Sequence, residues 1–264
     1  MHYSKIPLNS RQEEIMGMAQ QKGFVAIEEL TQAFDVTPQT IRRDINMLCG
    51  QGFLRRYHGG AGLTSSVENV DYVTRQVLCF EEKRRIAQVV ARHIPEKASL
   101  FINIGTTTEE VAKALSEHQG LRVITNNLNV ATLLSGNPSF EVIVAGGVVR
   151  TRDRGIIGEA TIDFIRQFKV DFGIIGISGI DEDGTLLDFD YREVRVAQAI
   201  IENARKVFLV ADHTKFGRNA MVRLGHLSEI DALFTDQQPP EEIVATLDEA
   251  NVELHVAKPS TSNR

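Results

Sequence analysis

Two groups of residues in this chain have the types and spacing to do chemistry, and both are suited to binding rather than to bond-making. The first lies near the N-terminus. From Arg42 to Gly60 there are four arginines, Arg42, Arg43, Arg55 and Arg56, against one acid, Asp44. Thr37, Gln39, Thr40, Asn46, Tyr57 and His58 accompany them. Arg, Gln and Asn pair with base edges, and Arg, Thr, Tyr and His meet phosphate oxygens, so the set suits double-stranded DNA. The whole chain carries a net charge of −6, which excludes coating of nucleic acid by the entire surface and requires a local cationic patch. Asp44 fits no DNA contact and reads as an orienting partner for a neighbouring arginine, or as a helix-surface acid. The competing reading of the arginines is a solvated helix face.

The second group is spread along the chain: Gly105 with Thr106, Thr107 and Thr108, then Asn126 and Asn127, Gly146 and Gly147, Ser178 with Asp181, and Lys215. Small residues, hydroxyls and free amides at a helix start hold anions, and a lysine adds a countercharge. A phosphate-bearing polyol or sugar fits this set. One Gly-Thr-Thr turn alone is more often a helix cap, but several such loops at successive strand ends suit a ligand pocket. Gly173, Gly176 and Gly179 resemble a dinucleotide fingerprint but lack the acid expected after a following strand, so no nicotinamide or other cofactor is expected. Cys49 and Cys79 have no ligand-spaced partners and read as reduced thiols, with no metal site. No catalytic residue is assigned.

The elements that must position these residues can be read from periodicity. Ser10-Arg11-Gln12-Glu13 has the form of a capping box and predicts a helix start, with Ile15, Met18 and Ala19 inward and Gly23 as the closing cap. Ile27, Leu30 and Phe34 predict a second helix. After a tight Asp35-Val36 connection, Thr37-Pro38 supplies an N-cap and a first-turn proline for a third. Its inner stripe is Ile41, Ile45 and Leu48, leaving Gln39, Thr40, Arg42, Arg43 and Asn46 outward. The run 53–61 predicts a basic hairpin. Together these make a winged helix-turn-helix domain over 7–63.

A Ser/Thr-rich linker over 64–80 leads to a helix carrying Ile86, Val90 and Ile94. Apolar runs at 100–104, 122–125, 141–145, 171–175, 207–211 and 232–235 then alternate with helical segments, as strands of a mostly parallel sheet covered on both faces should. The second domain is expected over 81–258, with a flexible tail at 259–264. Ligands of such sheets sit beyond the carboxyl ends of the strands, where the second group of residues falls. No stretch approaches the roughly 18 apolar residues of a membrane span, and residues 1–10 lack an apolar leader, so a cytoplasmic protein without membrane contact is expected.

Thr37-Pro38-Gln39-Thr40-Ile41-Arg42-Arg43-Asp44, with His58-Gly59-Gly60-Ala61, resembles the recognition helix and wing of the DeoR family of bacterial repressors. The resemblance runs along essentially the whole chain, through TNNLNVA, GIIGEAT, DFGI, GISGID, FDY and KFGRNAMV. It implies a repressor of operator DNA that forms a homo-oligomer, dimer or tetramer, and whose sensor domain is similar in fold to sugar-phosphate isomerases. It also implies a small phosphorylated effector, sn-glycerol 3-phosphate. Carried across by position, Thr106, Thr107 and Thr108 would bind phosphate with Lys215 as countercharge. Asn126, Asn127, Ser178 and Asp181 would meet hydroxyls. The isomerases place paired acids in a G-A-D-E run where this chain has Ile177-Ser178-Gly179-Ile180 and only then Asp181, which favours sensing over proton shuttling. A different phosphosugar effector, and an active isomerase with a regulatory N-terminal domain, stay open at this point.

Overall fold

The computed structural model describes residues 8–22, 24–51, 53–57, 59–62, 72–77 and 79–259. His58, the expected cap Gly23, residues 64–71 of the expected linker and 260–264 of the expected tail lie outside the described residues. In the N-terminal part, α1 (Ser10–Lys22) is followed by β1 (Phe24–Ala26), α2 (Ile27–Phe34), α3 (Pro38–Gly50), β2 (Arg55–Tyr57) and β3 (Gly60–Gly62). The capping box of α1 sits one residue earlier than its sequence form suggests. Asn9 Oδ1 accepts from the Gln12 amide at 3.0 Å, and Gln12 Oε1 accepts from the Asn9 amide at 3.1 Å. Asn and Gln serve as well as Ser and Glu in this exchange, so the overlapping pair wins.

Thr37 caps α3 by accepting from the Thr40 amide, with Pro38 following at the first helical position. Asp35 takes the left-handed conformation that ends α2, at φ 49°. The inner faces of α1, α2 and α3 meet in one core of Ile15, Ala19, Ile27, Leu30, Ile41, Ile45 and Leu48, closed by Val25 and Ala61 from the sheet and by Leu54 just before β2. That sheet runs β1-β3-β2, all antiparallel. β1, too short to show a period, makes the wing a three-stranded sheet rather than the simple hairpin expected. Asp44 is buried and takes bonds from Arg11 Nε at 2.7 Å and Gln12 Nε2 at 2.9 Å. Its partner is therefore an arginine of α1, not a neighbour on α3, and it fastens α1 to α3.

The segment 64–80 includes a helix: α4 (Tyr72–Val77), with α5 (Phe80–His93) starting at its end. Then come β4 (Ser99–Ile102), α6 (Thr106–Ala114), β5 (Arg122–Thr125), α7 (Leu128–Leu134), β6 (Glu141–Val144), β7 (Val148–Arg150), β8 (Gly155–Ile157), α8 (Glu159–Ile165), β9 (Val170–Gly176), β10 (Gly179–Ile180), β11 (Thr185–Asp188), α9 (Tyr191–Glu202), β12 (Ala204–Val210), β13 (Val222–His226), β14 (Ala232–Thr235), α10 (Glu241–Glu249) and β15 (Glu253–Val256). All six expected strands are present in the main sheet. It runs β15-β14-β12-β9-β4-β5-β6, and every pairing is parallel.

Alternate side chains leave opposite faces of a strand. Leu100 and Ile102 of β4 therefore join a core under α5, α6 and α7, while Phe101 joins the other core under α8, α9 and α10. A small antiparallel sheet, β10-β11-β13, extends from the second face. The chain crosses from β4 to one side through α6 and from β9 to the other through α9. The topological switch point is therefore between β4 and β9, and a cleft is required there.

Candidate DNA interface and effector pocket

The outer face of α3 presents Thr37, Gln39, Arg42, Arg43 and Asn46 to solvent, and β2 presents Arg55 and Arg56 beside it. Thr40 is half-buried, its hydroxyl 2.9 Å from that of Thr37, so both hydroxyls serve the cap as well as the surface. Arg56 donates to Asn46 Oδ1, which links the wing to α3. Helix N-terminus, exposed arginines and basic strand form one surface of the kind that enters a major groove while its wing lies on the backbone. Tyr57 does not belong to it. Its ring is buried against Phe24, with centroids 6.1 Å apart. Its hydroxyl receives a hydrogen bond from the Asn219 backbone amide, and Arg218 is close by. Of the three β2 side chains, Arg55 and Arg56 are exposed and Tyr57, the last, turns inward.

At the switch point, Gly105, Thr106 and Thr107 after β4, Ile177 and Ser178 after β9, and Lys215 and Arg218 after β12 line one cleft. The first-turn amides of α6 have no partner within the helix and carry the positive end of its dipole. Gly105 starts that helix at φ 153°, and a Cβ there would stand 3.2 Å from Thr108 Oγ1, so the loop favours glycine. Burial lowers the pKa of Lys215 to about 8, with Arg218, Lys83 and Arg75 adding to the fall and Asp212 opposing it. Asp212, although buried, is held down to about 2 by Lys215 and Lys83. Arg218 donates to the Ser178 carbonyl at 3.2 Å and lies over the Phe189 ring.

Four charged residues of the cleft were not assigned to it by sequence reasoning: Arg218 after β12, Arg75 of α4, Asp188 at the end of β11 and Glu193 of α9. Burial raises the pKa of both carboxyls, Glu193 to about 7 with Asp188 adding to the effect and Arg150 opposing it. Asp188 accepts from the Ser178 hydroxyl at 3.0 Å and from the Phe189 amide at 2.6 Å. Glu193 accepts from Arg150 Nη2 at 2.6 Å. The cleft thus combines cations and free helix-start amides with two hydrogen-bonded carboxyls. That combination suits a ligand with an anionic group and hydroxyls. The run FDY, 189–191, lies between these two acids in the sequence; Asp188 enters from the small sheet and Glu193 from the first turn of α9, neither from a main-sheet strand end.

Six residues expected in the pocket do not line it. Thr108 turns its hydroxyl onto the Asn103 and Gly105 carbonyls at 2.7 and 2.8 Å, bracing the loop from behind. Asn126 donates to the Ile156 carbonyl at 3.1 Å, and Asn127 caps α7 while donating to Glu109 at 3.0 Å. Gly146 accepts from Thr161 at 2.8 Å, and Gly147 packs against Thr161 and Ile156. Asp181 closes the turn between β10 and β11, its amide on the Thr185 carbonyl at 2.9 Å. Asn126, Asn127, Gly146 and Gly147 follow β5 and β6, away from the switch point, whereas Thr108 and Asp181 lie near it but are turned into their own loops. Among the described residues no cluster of acids, histidines and cysteines could hold a metal ion, and no helix is long and apolar enough to cross a membrane.

The wing and the cleft share a loop. Tyr57 meets Asn219, and the wing turn at Gly59 lies so close to His213 that a Cβ there would be 2.9 Å from Nε2. His213 is fixed by the buried Asp236, which accepts from its amide at 2.7 Å and from its ring at 2.8 Å. Lys215 and Arg218, on the same 212–219 loop, face the cleft.

Comparison with known proteins agrees with this division. The model of the DeoR-like helix-turn-helix domain matches residues 11–67, and that of the DeoR C terminal sensor domain matches residues 79–237. The chain is 54% identical to the glycerol-3-phosphate regulon repressor of Escherichia coli (strain K12), over 93% of this chain and 98% of that one. It is 55% identical to the Haemophilus influenzae protein of the same name, over 92% and 95%. It is 41% identical to the HTH-type transcriptional repressor CsqR of Escherichia coli (strain K12), over 96% and 97%. Among solved structures, ribose 5-phosphate isomerase A from Neisseria gonorrhoeae is 15% identical, with a TM-score of 0.38 over 51% of this chain and 52% of that one. The Pyrococcus horikoshii OT3 translation initiation factor eIF-2B is 16% identical, with a TM-score of 0.47 over 86% and 95%.

Proposed function

This chain belongs to the DeoR family of helix-turn-helix transcriptional repressors, and from that premise we propose that it represses genes of glycerol and glycerol 3-phosphate metabolism and is released from operator DNA by sn-glycerol 3-phosphate. The observation that carries the effector reading is the convergence of the α6 N-terminus, Lys215 and Arg218 on one cleft that also holds Asp188 and Glu193. The phosphate lies at Thr106, Thr107 and Lys215, where dipole and cation favour a dianion. The glycerol hydroxyls donate to Asp188 and Glu193. The names of the two glycerol-3-phosphate regulon repressors it resembles supply the choice of this phosphorylated polyol over others.

On the DNA side, Gln39, Arg42, Arg43 and Asn46 enter the major groove, and Arg55 and Arg56 hold phosphates beside it. A homo-oligomer presents recognition helices at matched half-sites. An effector that shifts the 212–219 loop moves the wing with it, and the half-sites are no longer met together.

The test is operator-fragment binding by fluorescence anisotropy at fixed salt, with and without millimolar sn-glycerol 3-phosphate and with ribose 5-phosphate as control. Selective release by glycerol 3-phosphate is the expected result. Specific binding that neither compound changes would discard this effector, and binding no tighter than to a random duplex would discard the operator reading. The isomerase alternative is checked in the same trial by assaying turnover of pentose and hexose phosphates; Glu193, bonded to Arg150 Nη2 at 2.6 Å, is held as an ion-pair partner rather than free as a general base.

A further inference from the structure

We propose that Arg75, on the helix that joins the two domains, is itself a phosphate-binding residue of the cleft, so that the bound effector grips α4 as well as the sensor domain. The proposal rests on the effector reading given above. Arg75 lines the cleft together with Thr106, Thr107, Lys215 and Arg218 although it comes from the segment between the domains. Bonds from Tyr72 and to the Arg75 carbonyl help to place it there. The Tyr72 hydroxyl donates to Glu109 Oε2 at 2.8 Å and accepts from Asn129 Nδ2 at 2.9 Å. Lys83, buried in α5, donates to the Arg75 carbonyl. The guanidinium stands 3.8 Å from Asp153, whose two oxygens already accept from Arg150 at 2.9 and 2.6 Å.

The charge balance points the same way. Arg75, Arg218 and Lys83 each depress the Lys215 proton affinity, so like charges are held together in a buried place. A phosphate dianion among them removes that repulsion, and a guanidinium can meet two of its oxygens at once. The free volume of the cleft is about 30 Å³, room for about one or two waters. The cleft is partly open to solvent, so a three-carbon phosphate ester is fully enclosed only when a lining element shifts. Among the described residues, α4 is the lining element that belongs to neither the seven-stranded sheet, its crossover helices, nor the small sheet and loops beside it. Enclosure of the effector then engages the interdomain helix as well as the 212–219 loop.

The experiment is calorimetric titration of the full chain and its Arg75→Gln, Arg75→Lys and Lys215→Gln variants with sn-glycerol 3-phosphate and with inorganic phosphate. It is accompanied by amide hydrogen exchange of the wild type with and without glycerol 3-phosphate. Arg75→Gln is expected to weaken both ligands at least tenfold, Arg75→Lys to recover part of the loss, and the ligand to slow exchange over 72–77. Undiminished or tighter binding by Arg75→Gln, with Lys215→Gln impaired, would overturn the role of Arg75 and leave the pocket reading intact. Unchanged exchange over 72–77 in a ligand-saturated wild type would overturn it as well, even if Arg75→Gln did not fold. A wild type that binds no phosphate compound would sink the pocket reading and this proposal together.

Discussion

Burial among cations disfavours the proton on Lys215, and Asp212 only partly offsets this, so the lysine titrates near 8 in the folded chain against 10.5 unfolded. The unfolded chain then binds more protons between those values, and this lysine's contribution to stability rises with pH through that window and is level below about 8. For a dianionic ligand the sign is opposite, because only the charged lysine attracts it. Affinity for sn-glycerol 3-phosphate is expected to be highest below about pH 8 and to fall above it, by as much as about tenfold per unit. Titration calorimetry from pH 7.5 to 9.5 checks this. Lys215→Gln should bind weakly throughout with no such fall, and a wild-type affinity flat to pH 9.5 would remove Lys215 from the phosphate site. Thr106, Thr107, Ser178 and Lys215 were legible in the sequence because they follow strands whose apolar runs announce them. Asp188, Arg75 and Arg218 were not, because a four-residue strand, a six-residue helix and an irregular loop bring them in, and such pieces have no period to read. Glu193 lies on a full helix, α9, but no local pattern says that its first turn reaches the cleft.

At the scale of elements, the helix-turn-helix depends on one buried carboxylate as much as on its apolar stripe. Asp44 joins α1 to α3 through Arg11 and Gln12, and Gln12 is 1% exposed, so its amide has no water to turn to if the acceptor goes. Arg11 is half-buried and can be rehydrated. Asp44→Ala should therefore cost about 1–3 kcal/mol, the penalty of a buried donor left unmade. Urea denaturation followed by circular dichroism measures it, and Asp44→Asn, which keeps one acceptor, should lose less. A neutral Asp44→Ala would mean that α1 is held by its apolar stripe alone. The third helix was legible to its first residue, since Thr37-Pro38 fixes a start without reference to anything distant. The role of Asp44 was not, because its partners lie more than thirty positions away on another helix and no local pattern records them. The strand β1 escaped for the related reason that its three residues become a strand only by pairing with β3.

For the whole molecule the question is how a small anion in the sensor domain reaches DNA. One route is short: Lys215 and Arg218 face the cleft, and Asn219, next in the chain, holds the hydroxyl of wing residue Tyr57. If effector and operator favour different settings of that loop, each must weaken the other by the same factor, and coupling of this kind is typically about 1–3 kcal/mol, or 5- to 150-fold. The expected outcome is that saturating operator duplex, but not a random duplex, lowers affinity for sn-glycerol 3-phosphate by the factor by which that ligand lowers operator affinity. Tyr57→Phe keeps the ring against Phe24 and removes the hydroxyl that meets Asn219, so it should leave the wing folded and reduce the coupling. One net hydrogen bond is worth about 0.5–1.5 kcal/mol, so the reduction should lie between about twofold and tenfold. Equal ligand affinity with and without operator would remove glycerol 3-phosphate as the effector. A full factor retained in Tyr57→Phe would instead move the coupling off the wing, and the interdomain helix that carries Arg75 would be left as the path by which occupancy of the cleft reaches the recognition helices.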